Sequence, residues 1–241
     1  MPSPGDIQSS APRMRGMFTR IAGMYDRLNR VQSLGLDVIW RRRALARLAR
    51  VAPSPPRRIL DLATGTADFA LAAARRFPDA RVTGVDLTPA MLDVGRRKAA
   101  AAGLAARVAL EEGDACALAC ADGSVDAVTC AFGFRNFPDR AAALREAARV
   151  LAPDGHLLVL ELFRPRFRLL AAATAAWMAC VARLFAGRAR EDYAYLRASV
   201  ETTCSAAAFE RLAVDAGFAA VQRIFYLPAC SCLLFRRNMV K

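Results

Sequence analysis

The sequence predicts an α/β domain built on a doubly wound, mainly parallel sheet. Three observations predict it. From Arg58 onward, short apolar strands alternate with amphipathic helices. The first strand, Arg58-Ile59-Leu60-Asp61-Leu62, runs into a turn of small residues around one glycine, Ala63-Thr64-Gly65-Thr66-Ala67-Asp68. Finally, the first three strands each carry an acid at their carboxyl end, Asp61, Asp86 and Asp114, and in an open α/β sheet that edge is where ligands bind.

Ahead of the sheet, residues 1–12 are rich in Pro, Ser and Gly and read as a flexible tail rather than a signal peptide. Residues 13–56 read as a helical cap. One helix is predicted over residues 14–30, with Phe18, Ile21, Tyr25 and Leu28 at helical spacing. Gly35 marks a turn, and Trp40 to Val51 make a basic amphipathic helix stopped by Pro53-Ser54-Pro55-Pro56.

Residues 57–241 form the main domain. Its second strand is Arg81 to Asp86, followed by a helix with Thr88 as N-cap and Pro89 at its first position. Val108 to Glu111 is the third strand, leading to Gly113-Asp114-Ala115, and Val125 to Ala131 is the fourth. A helix over residues 141–151 follows, and Pro153-Asp154-Gly155 turns into a fifth strand, His156 to Phe163. Residues 164–203 read as a helical insertion capping the substrate site. Its apolar run, residues 169–182, is bracketed by arginines and is shorter than the roughly 20 residues needed to span a bilayer. A helix over residues 206–216, ended by Gly217, then leads to a hairpin of Val221–Tyr226 and Cys232–Phe235. The hairpin completes seven strands with an antiparallel edge strand.

Composition narrows the function. The net charge of +13 is unevenly placed: residues 1–58 carry +9, residues 59–163 carry −3, and residues 164–241 carry +7. A basic exterior suits nucleic acid or an anionic membrane surface, and charge alone does not choose between them. The seven cysteines include no Cys-x-x-Cys pair and the single histidine, His156, lies in a strand, so neither a metal site nor a disulfide framework is expected. Such thiols suit a reducing, cytoplasmic setting.

The Gly65 turn carries the chemistry. It has one glycine where a dinucleotide fingerprint has three, and no lysine follows it as in a phosphate-gripping loop. Carboxylates on both sides suit a cationic ligand without phosphate. S-adenosylmethionine fits, with its ammonium and sulfonium near Asp61 and Asp68 and its backbone-facing side against Thr64 and Gly65. Asp86, followed by Leu87, is placed to take ribose hydroxyls, and Asp114 to meet the adenine amino group.

The chain resembles the UbiE-type quinone C-methyltransferases of menaquinone and ubiquinone biosynthesis, within the class I, Rossmann-like, S-adenosylmethionine-dependent methyltransferases. The resemblance runs from Met17 on and rests on four segments. These are Met17-Phe18-Thr19-Arg20-Ile21-Ala22-Gly23-Met24-Tyr25-Asp26-Arg27-Leu28-Asn29, Leu34-Gly35-Leu36-Asp37-Val38-Ile39-Trp40-Arg41, the Leu60–Asp68 turn, and Phe132-Gly133-Phe134-Arg135-Asn136-Phe137-Pro138-Asp139. The last is far more specific to the family than the turn. The resemblance implies that Thr66, Asp86, Asp114, Ala115 and Ala131 contact the cofactor, and that Tyr25, Arg135 and Asn136 face a prenylated quinol. It also implies C-methylation of that quinol, with methylation of another lipid-borne substrate such as phosphatidylethanolamine as the alternative. Arg135 is the candidate clamp for a ring oxyanion, against a competing salt bridge to Asp139 or Glu146. Peripheral contact with an anionic membrane at its inner face is expected, and a homodimer is left open. Nucleic-acid methylation is disfavoured because the fourth strand ends in Ala131-Phe132-Gly133-Phe134, with neither a Pro-Pro-aromatic nor a Pro-Cys motif.

Two departures stand out. The family commonly has a second glycine where Ala67 stands. After Tyr193-Ala194-Tyr195-Leu196-Arg197-Ala198-Ser199 it has a basic residue and then an aromatic or His before Pro, where this chain has Val200-Glu201-Thr202-Thr203-Cys204.

Overall fold

A computed structural model describes residues 11–164, 172, 176, 177, 180, 203–226 and 230–238. The expected tail over residues 1–10, the apolar run apart from positions 172, 176, 177 and 180, and the Tyr193–Ser199 stretch lie outside the described residues.

Among the described residues, three helices precede the sheet: α1 (Ala11–Ile21), α2 (Tyr25–Gln32) and α3 (Leu36–Val51). The single helix predicted over residues 14–30 is therefore two. Gly23, a weak helix former, lies in the turn that separates them, where the Met24 amide donates to the Ile21 carbonyl at 2.9 Å. α1 also begins inside the predicted tail, at Ala11. α3 starts earlier than Trp40 because Gly35, at φ 75°, turns the chain directly into it.

The sheet contains β1 (Arg58–Leu62), β2 (Arg81–Asp86), β3 (Val108–Glu112), β4 (Val125–Ala131), β5 (Leu151–Leu162), β6 (Phe218–Tyr226) and β7 (Cys230–Arg237). Its order is β3-β2-β1-β4-β5-β7-β6, with β1 to β5 mutually parallel and β7 antiparallel to both of its neighbours. The closing hairpin sits at the sheet edge as predicted. The reversed strand is one in from that edge, with β6 outermost. Pro153-Asp154-Gly155 does not separate β5 from the preceding helix; it lies within β5, where the register against β4 shifts.

Helices α4 (Asp68–Arg76), α5 (Pro89–Ala101), α6 (Arg140–Val150) and α7 (Ala206–Asp215) cover the faces. Alternate strand residues feed two cores, because successive side chains of a strand point to opposite faces. Ile59 and Val82 pack with Trp40, Leu45, Leu48 and Leu92 under α3, α4 and α5. Leu60, Leu62 and Val85 pack with Leu144, Val150, Phe209 and Phe218 under α6 and α7. Strand order reverses between β1 and β4, and the cleft above that point is where a doubly wound sheet binds its ligand.

Candidate active site

The turn after β1 is built on the Asp61 carboxylate, which is 1% exposed. One oxygen accepts from the Thr64 hydroxyl at 2.7 Å and the other from the Thr129 hydroxyl of β4 at 2.6 Å. Burial pushes this carboxyl up to about 6, against the opposing pull of both hydroxyls. Thr64 itself fits only because position 84 is glycine. A Cβ there would lie 2.7 Å from both the Thr64 hydroxyl oxygen and Leu110 Cδ2. On both sides of Thr64 the backbone visits the left-handed region, at Ala63, Gly65 and Ala67.

At the end of β2, the Asp86 carboxylate accepts from the Gly65 amide and the Thr88 amide, both at 2.9 Å. Burial raises its pKa, and those amides pull it back. Asp86 thus ties the glycine turn to the start of α5 while its side chain reaches the cleft. Gly113, Asp114 and Ala115 close the cleft beyond β3, with the Asp114 carboxylate accepting from the Cys116 amide at 2.8 Å.

The roof comes from the N-terminal helices. Met14, Arg15 and Phe18 of α1 and Tyr25 of α2 line the cleft. The Phe18 and Tyr25 rings meet edge to face at 6.0 Å between centroids. The Tyr25 ring passes 3.9 Å from where a Gly65 Cβ would stand. Opposite, β4 ends at Ala131 and the chain bends through Phe132, at φ 62°, into a 3-10 turn, Phe134–Asn136. Gly133 permits the bend, since a Cβ there would lie 2.7 Å from Ala63 Cβ and 2.8 Å from Cys130 Sγ. This turn sends consecutive side chains in different directions. Asn136 lines the cleft. Arg135 does not; its Nη1 donates to Glu161 Oε1 at 2.7 Å and to the Phe132 carbonyl at 2.5 Å.

The sequence profile of the ubiE/COQ5 methyltransferase family matches residues 7–228. The chain belongs to the ubiE/COQ5 methyltransferase family. The demethylmenaquinone methyltransferase of Deinococcus radiodurans is 45% identical over 160 residues, covering 66% of this chain and 64% of that protein. That of Thermus thermophilus is 49% identical over 145 residues, again covering 64% of the relative and 60% of this chain. The ubiquinone/menaquinone biosynthesis C-methyltransferase UbiE of Geobacter sulfurreducens is 38% identical over 215 residues, covering 88% of this chain and 83% of that protein. The fold is that of an O-methyltransferase, described as putative, from Nostoc punctiforme, with a TM-score of 0.66 at 17% identity over 91% of this chain and 60% of that one. A SAM dependent methyltransferase from Aquifex aeolicus matches with a TM-score of 0.57 at 16% identity over 75% of this chain and 82% of that one. At such identities the likeness speaks for the fold alone.

Of the residues singled out in the sequence of this family member, Tyr25, Gly65, Asp86, Leu87, Asp114, Ala115, Ala131 and Asn136 meet around one cleft. Asp61, Thr64, Thr66, Asp68 and Arg135 do not line it. Asp61 and Thr64 bond each other beneath the turn. Thr66 donates to Asp26, and Asp68 is held by Arg30 and Lys98. Burial works against the Asp68 charge, but Arg41, Lys98 and Arg30 outweigh it and hold its carboxyl below the usual range. Asp61 and Asp68, expected near a ligand's cationic groups, are here engaged by hydroxyls or cations from neighbouring elements, as Asp86 is by two backbone amides.

The competing salt bridge of Arg135 does form, but not with the acids expected. Asp139 caps α6 by accepting from the Ala142 amide at 2.8 Å, and Glu146 accepts from Arg149 and from the Leu118 amide. The partner is Glu161, 26 residues along the chain, which sequence proximity did not suggest. Sequence reading also passed over Met14, Phe18, Met91 and Phe132 as cleft residues, since nothing separates them from ordinary core positions before the helices dock. His156 lies, as expected, at the opposite end of the sheet, buried beside the Pro53–Pro56 link, where burial and Arg236 lower its pKa. Among the described residues no cluster of His, Cys, Asp or Glu could hold a metal, and no helix is long and apolar enough to cross a membrane.

Proposed function

We propose that the protein methylates a ring carbon of a prenylated quinol, with S-adenosylmethionine as methyl donor. One observation carries this reading: the family-specific residues Tyr25 and Asn136, from segments far apart in the chain, line the same cleft as the strand-end acids Asp86 and Asp114. The lining suits a nucleoside. At Gly65 a Cβ would already stand in contact with Met91 Cε at 3.5 Å and the Tyr25 ring at 3.9 Å, so glycine keeps the floor low, and acids stand at two points along one wall.

Bound S-adenosylmethionine supplies a methyl group activated by a cationic sulfonium. Asp86 would hold the ribose hydroxyls, Asp114 the adenine amino group, and the backbone around Gly65 the methionine portion. The quinol ring is a weak carbon nucleophile until one hydroxyl loses its proton and pushes charge into the ring; once that carbon carries the methyl, its own hydrogen leaves as a proton and the ring is aromatic again. Tyr25 and Asn136 provide the polar atoms that orient this hydroxyl and the water that takes its proton. Phe18, Phe132 and Phe137 keep the site dry, which strengthens each of these interactions. Arg135 acts from behind, holding the turn that carries Asn136 against Glu161. The prenylated substrate is lipid-borne, so peripheral contact with an anionic membrane belongs to the same proposal, supported by the +9 and +7 ends of the chain.

The test supplies the purified protein with isotopically labelled S-adenosylmethionine and short-chain naphthoquinol, benzoquinol and phosphatidylethanolamine in parallel, read by mass spectrometry. A label on a ring carbon is expected. A label on the ethanolamine nitrogen, or none on any quinol, would sink the reading.

A further inference from the structure

The covering helices are fastened to the floor of the cleft by a lysine outside the four segments named above for the family resemblance. Lys98 lies on α5, and its Nζ stands 2.6 Å from Asp26 Oδ2, 2.5 Å from Asp68 Oδ1 and 3.3 Å from the Thr66 hydroxyl. Thr66 in turn donates to the other oxygen of Asp26. One ammonium therefore gathers the start of α2, the glycine turn and the start of α4. Arg30, one turn further along α2, reaches the other oxygen of Asp68 at 3.0 Å. Asp26 directly follows Tyr25, so the contact that holds Asp26 also holds the Tyr25 ring over Gly65.

The fastening is polar and partly wet, with side-chain exposures of 27% for Lys98, 33% for Asp26 and 16% for Asp68. Ion pairs at such exposure contribute little net stability, because water competes for each partner. What this contact does therefore lies in where it holds α2 rather than in how much it stabilises the fold.

We propose that Lys98 is a positioning residue for the cofactor: its ammonium ties Asp26 to the glycine turn and so holds Tyr25 in place over the bound nucleoside. The proposal rests on the reading of the cleft as the S-adenosylmethionine site. The groups facing Lys98 are Asp26, Asp68 and Thr66, and Arg30 and Arg41 share the Asp68 charge from the side of α2 and α3. A neutral side chain at position 98 leaves Asp26 and Asp68 without the cation that joins them.

The test compares wild type, Lys98→Met and Lys98→Arg by S-adenosylmethionine calorimetry and by amide hydrogen exchange with and without the ligand. In the ligand-free protein, Lys98→Met should speed exchange across α2 while leaving β1 and β4 unchanged. Its dissociation constant should rise about tenfold. Lys98→Arg, which can still reach both carboxylates, should recover most of the affinity and the protection. A Lys98→Met protein with wild-type affinity and wild-type exchange in α2 overturns the proposal. So does one that only melts earlier, with affinity intact, because that is a structural brace. If wild type itself fails to bind S-adenosylmethionine, the cofactor reading falls instead, and the ligand-free exchange still decides whether Lys98 holds α2.

Discussion

Arg135 and Glu161 form a buried ion pair, 2.7 Å from Nη1 to Oε1, with side chains 5% and 1% exposed. Glu161 Oε2 also accepts from the Arg135 amide at 3.1 Å, so the acid holds both ends of this residue. Removing one partner of a buried pair leaves the other charge without compensation, which typically costs about 3–5 kcal/mol. Arg135→Ala should therefore lower thermal stability strongly. Replacing the pair together, as Arg135→Met with Glu161→Leu, should recover a large part of the loss. A folded Arg135→Ala protein of unchanged melting temperature would show that the pair is not what holds the 134–136 turn.

Asp61 predicts a pH dependence. Its folded carboxyl sits at about 6, raised by burial from an ordinary 3.8. Between those values the folded chain holds a proton that the unfolded chain has lost, so this group favours folding most below about 4 and loses that contribution as pH rises through 6. The change is on the order of 3 kcal/mol. Asp86, raised in the same direction, adds to the trend. Asp61→Asn should flatten the fall in melting temperature between pH 4 and 7 without abolishing it. An identical pH profile in both proteins would rule out Asp61 as its source.

At Asp86 both carboxylate oxygens already accept backbone amides, from Gly65 and Thr88. Asp86→Ala should weaken S-adenosylmethionine binding by about 1.5–3 kcal/mol, the usual scale for hydrogen bonds to a charged group. It should also lower the melting temperature, because the glycine turn loses its tie to β2. Calorimetry that finds unchanged affinity would remove Asp86 from the ribose.

The glycine that the family resemblance implies at position 67 fits the backbone found there. Ala67 is fully buried at φ 65°, a conformation that strains any residue with a Cβ by roughly 1–2 kcal/mol. Its buried methyl returns only about 0.8 kcal/mol. Ala67→Gly should accordingly raise stability, by up to about 1 kcal/mol in denaturant unfolding. A lower midpoint would mean that the methyl's packing against α5 outweighs the strain.

Membrane contact predicts a salt dependence. Binding to anionic vesicles in a co-sedimentation assay should fall as salt rises, since exposed charges are screened over about 8–10 Å at physiological ionic strength. Equal binding to neutral and anionic vesicles would reduce the arginine-rich ends to a solvated surface.

Much of the fold is legible from local pattern. β4 is found at its predicted ends, and Pro89 opens α5, because strand periodicity and proline's fixed φ are local properties of the chain. Thr88 stands at the N-cap position but makes no side-chain capping bond. The edge acids were likewise legible as a set, since a doubly wound sheet brings successive strand ends together whatever their side chains do next. What local pattern does not contain is how a side chain is used once others arrive. Asp61, Asp86 and Asp114 look alike in the sequence, yet two stand in the cleft wall and the third is sealed beneath the turn by Thr64 and Thr129.

The sequence by itself determined the alternation of strands and helices, the glycine turn and the position of the specific Phe-Gly-Phe-Arg-Asn segment. Those depend on residue type and spacing within a few turns of chain. Only the tertiary structure decided that Asn136 faces the cleft while Arg135 turns inward to Glu161, and that Lys98 of α5 fastens α2. The two ion pairs join partners 26 or more residues apart, and they are settled by which opposite charges the packed elements bring within reach of one another.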